Sequence, residues 1–277
     1  MITRKTFLLQ SGTFAVSTMM FPSIALASSR EEDLGVQLYT FREAMYIDPI
    51  RTLQRIADLG IKKIETAKSN KGLYYGLKPD EMQKICQDLG MNLISGHVPL
   101  DNDWKQTINE AVASGQEYLI CSSMPFKGQT IEHYKEAALK FNQAGEDCKK
   151  MGLKFGYHNQ SSEFESENDK VLYDVLLEHT DPDLVHMEMD LAMLVLVGKD
   201  PVSYFKKYPG RFPLWHLKDM IIKEKKSIEF GKGSVDIPEL LKYKKESGLK
   251  HIFIEQEEYT SSAFESMSHN MNYMKNL

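Results

Sequence analysis

From Leu34 onward, short apolar runs alternate with longer stretches that are apolar only at every third or fourth position. Eight of the runs read as buried strands: Leu34–Tyr39, Ile61–Ala67, Asn92–His97, Tyr118–Ser122, Lys154–Asn159, Val185–Asp190, Leu214–Asp219 and Ile252–Glu257. Their starts lie 26 to 38 residues apart, the length of one strand, loop and helix each time. Helical spacing predicts helices over Ile50–Leu59, Pro79–Leu89, Ile131–Met151, Asp169–His179 and Ile237–Ser247. A glycine then leads into the next apolar run at Gly60-Ile61, Gly90-Met91, Gly152-Leu153 and Gly248-Leu249, the residue type that takes a left-handed helix cap without a steric penalty. Eight parallel units in about 250 residues predict a single (β/α)8 barrel. An open doubly wound sheet is the second choice, but no Gly-x-Gly-x-x-Gly turn follows any strand, so dinucleotide binding lacks its fingerprint.

The first 27 residues follow a different pattern. Arg4 and Lys5 precede an apolar or small-residue stretch from Phe7 to Leu26 without an acid, and Ala25-Leu26-Ala27 supplies a small-residue cleavage site. Residues 1–27 are therefore expected to be a removable export signal, with residues 28–277 forming the barrel and the mature protein in the periplasm. Thr3-Arg4-Lys5-Thr6-Phe7-Leu8 is similar to a twin-arginine signal with lysine in place of the second arginine. No run of about 20 purely apolar residues occurs, so stable membrane insertion is not expected.

Composition narrows the partners. The 277 residues are 42% hydrophobic and 26% charged, with a formal net charge of −5. No basic stripe interrupts that balance, which argues against a nucleic-acid partner, since phosphate contacts require clustered lysine and arginine. Cys86, Cys121 and Cys148 are an odd number without a Cys-x-x-Cys pair, so they predict apolar filler rather than a disulfide framework.

The chemistry gathers at the strand ends, where a (β/α)8 barrel places its active site. Asp190, His216 and Glu255 each close an apolar run in the last third of the chain. On neighbouring parallel strands they converge on one rim. Two carboxylates and an imidazole suit one divalent ion such as Mn²⁺, Co²⁺, Mg²⁺ or Zn²⁺. Each residue also has an ordinary reading: Asp190 as a helix cap, His216 beside Trp215 as a core histidine, Glu255 as the start of an acidic loop. The same rim carries Tyr39, Glu65, His97, His158, Lys218 and Glu257. His97 and Lys218 are candidates to contact substrate oxygens, and Glu255 or an imidazole to act as base. Glu65 and Glu257 are candidates to act as base or to support a metal ligand from behind, and Glu65 also to contact substrate. Tyr39, Phe41 and Trp215 are candidates for an apolar floor under a sugar ring.

Five segments carry a resemblance: Gly35-Val36-Gln37-Leu38-Tyr39, Gly60-Ile61-Lys62-Lys63-Ile64-Glu65, Gly156-Tyr157-His158-Asn159-Gln160, His216-Leu217-Lys218-Asp219 and Gly231-Lys232-Gly233-Ser234-Val235-Asp236. Together they resemble the xylose isomerase-like TIM-barrel family of sugar isomerases, epimerases and lyases, along nearly the whole chain from Leu34. The resemblance puts Asp190, His216 and Glu255 on the family's metal-ligand positions. It puts the fourth ligand at His158, where the epimerases carry glutamate, with Gln160 as the competing ligand.

The resemblance implies a metal-dependent enzyme that removes a proton next to a sugar carbonyl, by isomerisation or epimerisation. Histidine in place of a second carboxylate on strand five makes a single-base reaction the alternative: a lyase or hydratase acting on 3-keto-glycosides. A phosphodiesterase or endonuclease and a non-catalytic sugar-binding barrel are further alternatives on the same scaffold. In all but the endonuclease reading the expected partner is a small sugar or glycoside.

Overall fold

Alternation along eight short runs becomes eight parallel strands in the computed structural model, which describes residues 34–277. The export signal expected over residues 1–27 lies outside the described residues. The strands are β1 (Leu34–Gln37), β2 (Lys63–Ala67), β3 (Asn92–Val98), β4 (Tyr118–Cys121), β5 (Lys154–His158), β6 (Val185–Asp190), β7 (Leu214–Leu217) and β8 (His251–Ile254). Each pairs with its sequence neighbours, and β8 pairs with β1 to close the barrel. No helix among the described residues is long and apolar enough to cross a membrane.

Alternation also sorts the side chains. Outward residues such as Val36, Ile64, Leu119, Phe155, Met187 and Trp215 are fully buried in the layer between sheet and helices. Inward residues Tyr118, Ile120, Leu214 and Phe253, with Ile94 against them, form a separate plug in the lower barrel. Gly35 is inward too, and a Cβ there would sit 2.7 Å from the Phe253 ring, so glycine on β1 makes room for the phenylalanine on β8. Between Ile64 and Glu65 of β2 the register against β3 slips by one residue, a bulge at Ile94.

Local chemistry explains where the elements depart from expectation. β1 ends at Gln37 because the Gln37 side chain accepts from Tyr39 N and starts a 3-10 turn over Leu38–Phe41. The run at Leu214–Asp219 is two elements: β7 stops at Leu217, and Asp219–Ile221 pairs antiparallel with Lys226–Ile228. The helix expected from Asp169 begins at Leu172, since Asn168 (φ 49°) and Asp169 (φ 62°) turn the hairpin Ser166–Glu167/Lys170–Val171. The helix expected over Ile237–Ser247 is two short pieces, Ile237–Leu241 and Lys244–Ser247.

Candidate metal centre

Four inward residues at successive strand ends bring donor atoms together. His158 ends β5, Asp190 ends β6, His216 lies on β7 and Glu255 directly follows β8. All four are buried, and one ligand atom from each lies within 4.8 Å of the others. His216 Nδ1 is 3.2 Å from His158 Nε2 and 3.1 Å from Glu255 Oε2, and His158 Nε2 is 3.8 Å from Asp190 Oδ2.

Asp190 divides its two oxygens. Oδ1 accepts from Ala192 N (3.1 Å) and Met193 N (3.2 Å), capping the apolar helix Leu191–Leu196. Oδ2 is buried without a hydrogen bond and faces His158 and the Lys218 ammonium at 3.3 Å. A carboxylate oxygen left this way inside a protein is costly unless a cation is close. In this structure the Lys218 ammonium is the cation close to Asp190 Oδ2. The donor set of two imidazoles and two carboxylates fits a divalent metal. The side-chain amide of Gln160, the competing ligand, sits 3.4 Å from His158 Nδ1, the ring nitrogen that faces away from Asp190 and His216.

Beneath these four lies a second buried polar layer. His216 Nε2 is 2.6 Å from Glu65 Oε1, which also accepts from Gln37 Nε2 at 2.8 Å. The other Glu65 oxygen accepts from Ser95 Oγ at 2.5 Å. His97 Nε2 bridges Glu188 Oε2 (2.7 Å) and Glu65 Oε1 (3.2 Å). His216 thus turns Nδ1 to the rim and Nε2 to a carboxylate, the arrangement that fixes a metal-binding histidine. His97, His158, Glu188 and His216 form an overlapping set with metal-ligand spacing.

Charge follows from contact. Burial opposes the charge on Glu65, yet His97 and His216 outweigh it and hold Glu65 well below the usual carboxylate range. Burial, reinforced by the Glu65 charge, pushes Glu188 up to about 7. Burial, with His216 and His97 beside it, holds His158 well below the usual histidine range, leaving a neutral imidazole that can donate a lone pair. Against the same burial, Glu188, Glu65 and Glu255 raise His216, and Glu65 and Glu188 lift His97 to about 9. Lys218 is buried too, but Asp190, Glu255 and Glu257 outweigh desolvation and keep its ammonium charged. Its Nζ lies 2.9 Å from Glu255 Oε2 and 2.8 Å from Glu257 Oε1.

Of the residues singled out from the sequence, Tyr39, His97, His158, Asp190, Lys218, Glu255 and Glu257 line one pocket of about 340 Å³. Two lie elsewhere. Trp215 does not floor the pocket; it points outward and stacks on Phe205 at 4.9 Å, because it alternates with inward His216. Glu65 is fully buried against His216 and does not line the pocket, so it is not placed to take a proton from a substrate there. Sequence reasoning missed Glu188, although a period of two back from Asp190 places it on the same inward face.

The paired motifs have a structural meaning as well. Asp219 accepts from Gly231 N (3.0 Å), Gly233 N (2.9 Å) and Val235 N (3.0 Å), fastening one motif to the other beside the site. A Cβ on Gly233 would fall 2.2 Å from Asp219 Oδ1, so the loop closes only around glycine.

No family model matches the chain. An inosose dehydratase of Clostridium tetani is 34% identical over 103 residues, 35% of this chain and 34% of that protein. The match spans only about a third of the length of such curated relatives. A solved structure from Parabacteroides distasonis, described as a sugar phosphate isomerase/epimerase, superposes with a TM-score of 0.79 at 25% identity, covering 91% of this chain and 96% of that one. The zinc-bound IOLI protein shares the fold, with a TM-score of 0.72 at 15% identity over 88% of this chain and 97% of its own. A closed parallel barrel with titratable groups at the carboxyl ends of its strands defines a (β/α)8 protein with a candidate metal site. Within that class, its fold is that of solved structures described as a sugar phosphate isomerase/epimerase and as xylose isomerase domain proteins.

Proposed function

We propose that the protein is a divalent-metal-dependent lyase of the dehydratase type, acting on a keto-sugar or keto-glycoside. The observation that carries this reading is the convergence of His158 Nε2, Asp190 Oδ2, His216 Nδ1 and Glu255 Oε2, with the Asp190 oxygen lacking any hydrogen bond. These four would hold the metal. When bound, the ion would polarise the substrate carbonyl and its neighbouring hydroxyl.

The chain's own groups divide the remaining work. Glu257, half-buried at the pocket wall, is the carboxylate placed to remove the proton next to the carbonyl. The C–H electron pair becomes a C=C bond as the C–O bond on the far carbon breaks. Lys218, held charged by three carboxylates, is placed to give a proton to the departing oxygen, which leaves as water or an alcohol. His97, on the opposite wall, orients the sugar hydroxyls.

Two observations favour elimination over epimerisation. Strand five supplies an imidazole where a two-base epimerase needs a second carboxylate, and the curated relatives are inosose dehydratases. The test is turnover of keto-sugars, an inosose included, by metal-loaded protein in D2O. Release of an unsaturated ketone, seen by its ultraviolet absorption, is expected. Deuterium retained in a rearranged saturated sugar would instead make the enzyme an isomerase or epimerase, the description carried by the Parabacteroides structure. We also propose that residues 1–27 direct export to the periplasm. Amino-terminal sequencing of protein from fractionated cells checks it, and an intact Met1 on cytoplasmic protein contradicts it.

A further inference from the structure

Beside the metal pocket runs a second open groove of about 730 Å³, and Tyr39 and Lys68 belong to the walls of both. Large apolar side chains that stand out singly into solvent need no explanation, but a contiguous group beside a cleft does. Tyr39, Tyr46 and Ile47 are 41%, 51% and 81% exposed, and all three line this groove.

The groove is held in shape by contacts that lead to the site. Arg42 donates to Tyr39 O (3.3 Å), Tyr259 Oη (3.0 Å) and Glu257 O (2.9 Å), and its guanidinium lies 4.9 Å from the Tyr39 ring centre. The Glu257 side chain in turn meets Lys218. Lys71 Nζ donates to Tyr46 O at 2.6 Å and sits 4.2 Å from the Tyr46 ring centre. Tyr75, buried in the wall, is held at φ 54°, where a bulky side chain rarely sits without a reason. Aromatic rings fixed this way present flat apolar area at little cost in side-chain entropy.

We propose that this groove is a subsite for the aromatic leaving group of a glycoside, so that the substrate class is an aryl glycoside and not a free sugar. The proposal rests on the keto-sugar lyase reading and adds the other half of the substrate. With the keto ring at the metal pocket, the group on its anomeric oxygen would run past Tyr39 into the groove. It would leave as a phenol after loss of the proton next to the ketone and cleavage of the anomeric C–O bond. A second copy of the chain is a poorer occupant, since three exposed side chains fall far short of the roughly 800 Å² per partner of a stable interface.

The test is calorimetric titration of Mn²⁺-loaded protein with phenyl and methyl β-glucosides, which share one sugar and lack the reactive ketone. Phenyl glucoside is expected to bind at least tenfold tighter. Tyr46→Ala and Ile47→Asp, both surface changes, should each remove most of that advantage while shifting the methyl glucoside less than twofold. Equal affinity for the two glucosides, or an advantage that survives both substitutions, overturns the subsite. If methyl 3-keto-glucoside is turned over in that case, the lyase reading stands without it. If neither glucoside binds while the metal does, and no keto-sugar reacts, both readings fall. A dimer by sedimentation that Ile47→Asp dissociates would make the groove an interface between copies and overturn the proposal.

Discussion

The two halves of the barrel interior are built from the same strands and filled on opposite principles. Below, Tyr118, Ile120, Leu214 and Phe253 form an apolar plug. Above it, Gln37, Glu65, Ser95, Glu188 and His216 are just as deeply buried, and every one is polar. Burying an apolar ring stabilises by roughly 1.5–3 kcal/mol. Burying a carboxylate costs several kcal/mol unless partners repay it, and replacing such pairs by apolar residues is often neutral or stabilising. The lower layer is therefore what folding alone favours. The upper one is what a site at the rim requires, and its acids and imidazoles are tolerated because each has another within hydrogen-bond reach.

Four experiments press on that contrast. The largest effect is expected from Phe253→Ala, which should cost about 3–5 kcal/mol in chemical denaturation. It should leave metal affinity within about threefold, and a comparable loss of metal would mean that the two layers are not separable. Next comes Asp190→Asn, which retains a side chain able to cap Leu191–Leu196 but removes the anionic Oδ2. Metal affinity should fall by at least about 100-fold with little change in melting temperature, a bound more severe than loss of an outer-shell partner. Full occupancy by elemental analysis would remove Asp190 from the ligand set. Glu65→Gln touches only the underside of His216, and a drop of about tenfold or somewhat more in metal affinity is expected, read by competition with a chelating dye.

The smallest effect concerns pH and lies below the plug. Burial, with Lys154 and Arg211 nearby, pushes His186 down to about 4, and its ring packs edge-on to Tyr118 at 5.7 Å. Between pH 6.5 and 4 the unfolded chain then binds a proton that the folded one refuses, so this residue's contribution to stability falls as pH falls through that window. His186→Phe should make the protein more acid-resistant by about 1–2 kcal/mol at pH 4.5 relative to pH 7. Parallel stability curves for the two proteins over that range would show that His186 titrates normally.

Much of this layout was legible in the sequence, for reasons that differ by residue. The eight strands announced themselves because buried parallel strands are short apolar runs at a regular spacing, and the glycines between marked each helix end. The rim residues were legible because a polar side chain closing such a run has few other places to go. Whether they bind metal is still the proposal above. Leu191–Leu196 was not legible as a helix, since six consecutive apolar residues carry no helical period. Trp215 was misread because proximity to His216 along the chain means the opposite face on a strand. Glu188 escaped because only the last residue of the run was weighed, although strand geometry carries its predecessor by two to the same side.

The bulge at Ile94 bears on how such an interior can change. Strict alternation from Ile94 would send Gly96 and Val98 inward and turn Ser95 and His97 toward the helices. Instead Ile94 packs on the plug, while Ser95 and His97 reach Glu65 and Glu188. The bulge thus lets two consecutive residues, Ile94 and Ser95, face inward, one completing the apolar plug and the other opening the polar layer. Deleting Ile94 would leave Leu93 opposite Ile64 and Ser95 opposite Glu65 in unbroken alternation, so Ser95 and His97 would stay inward and the plug alone would lose a side chain. Length variation at this point is therefore a discrete genetic control over the filling of the plug, one that identity-based comparison of aligned positions would pass over as a gap.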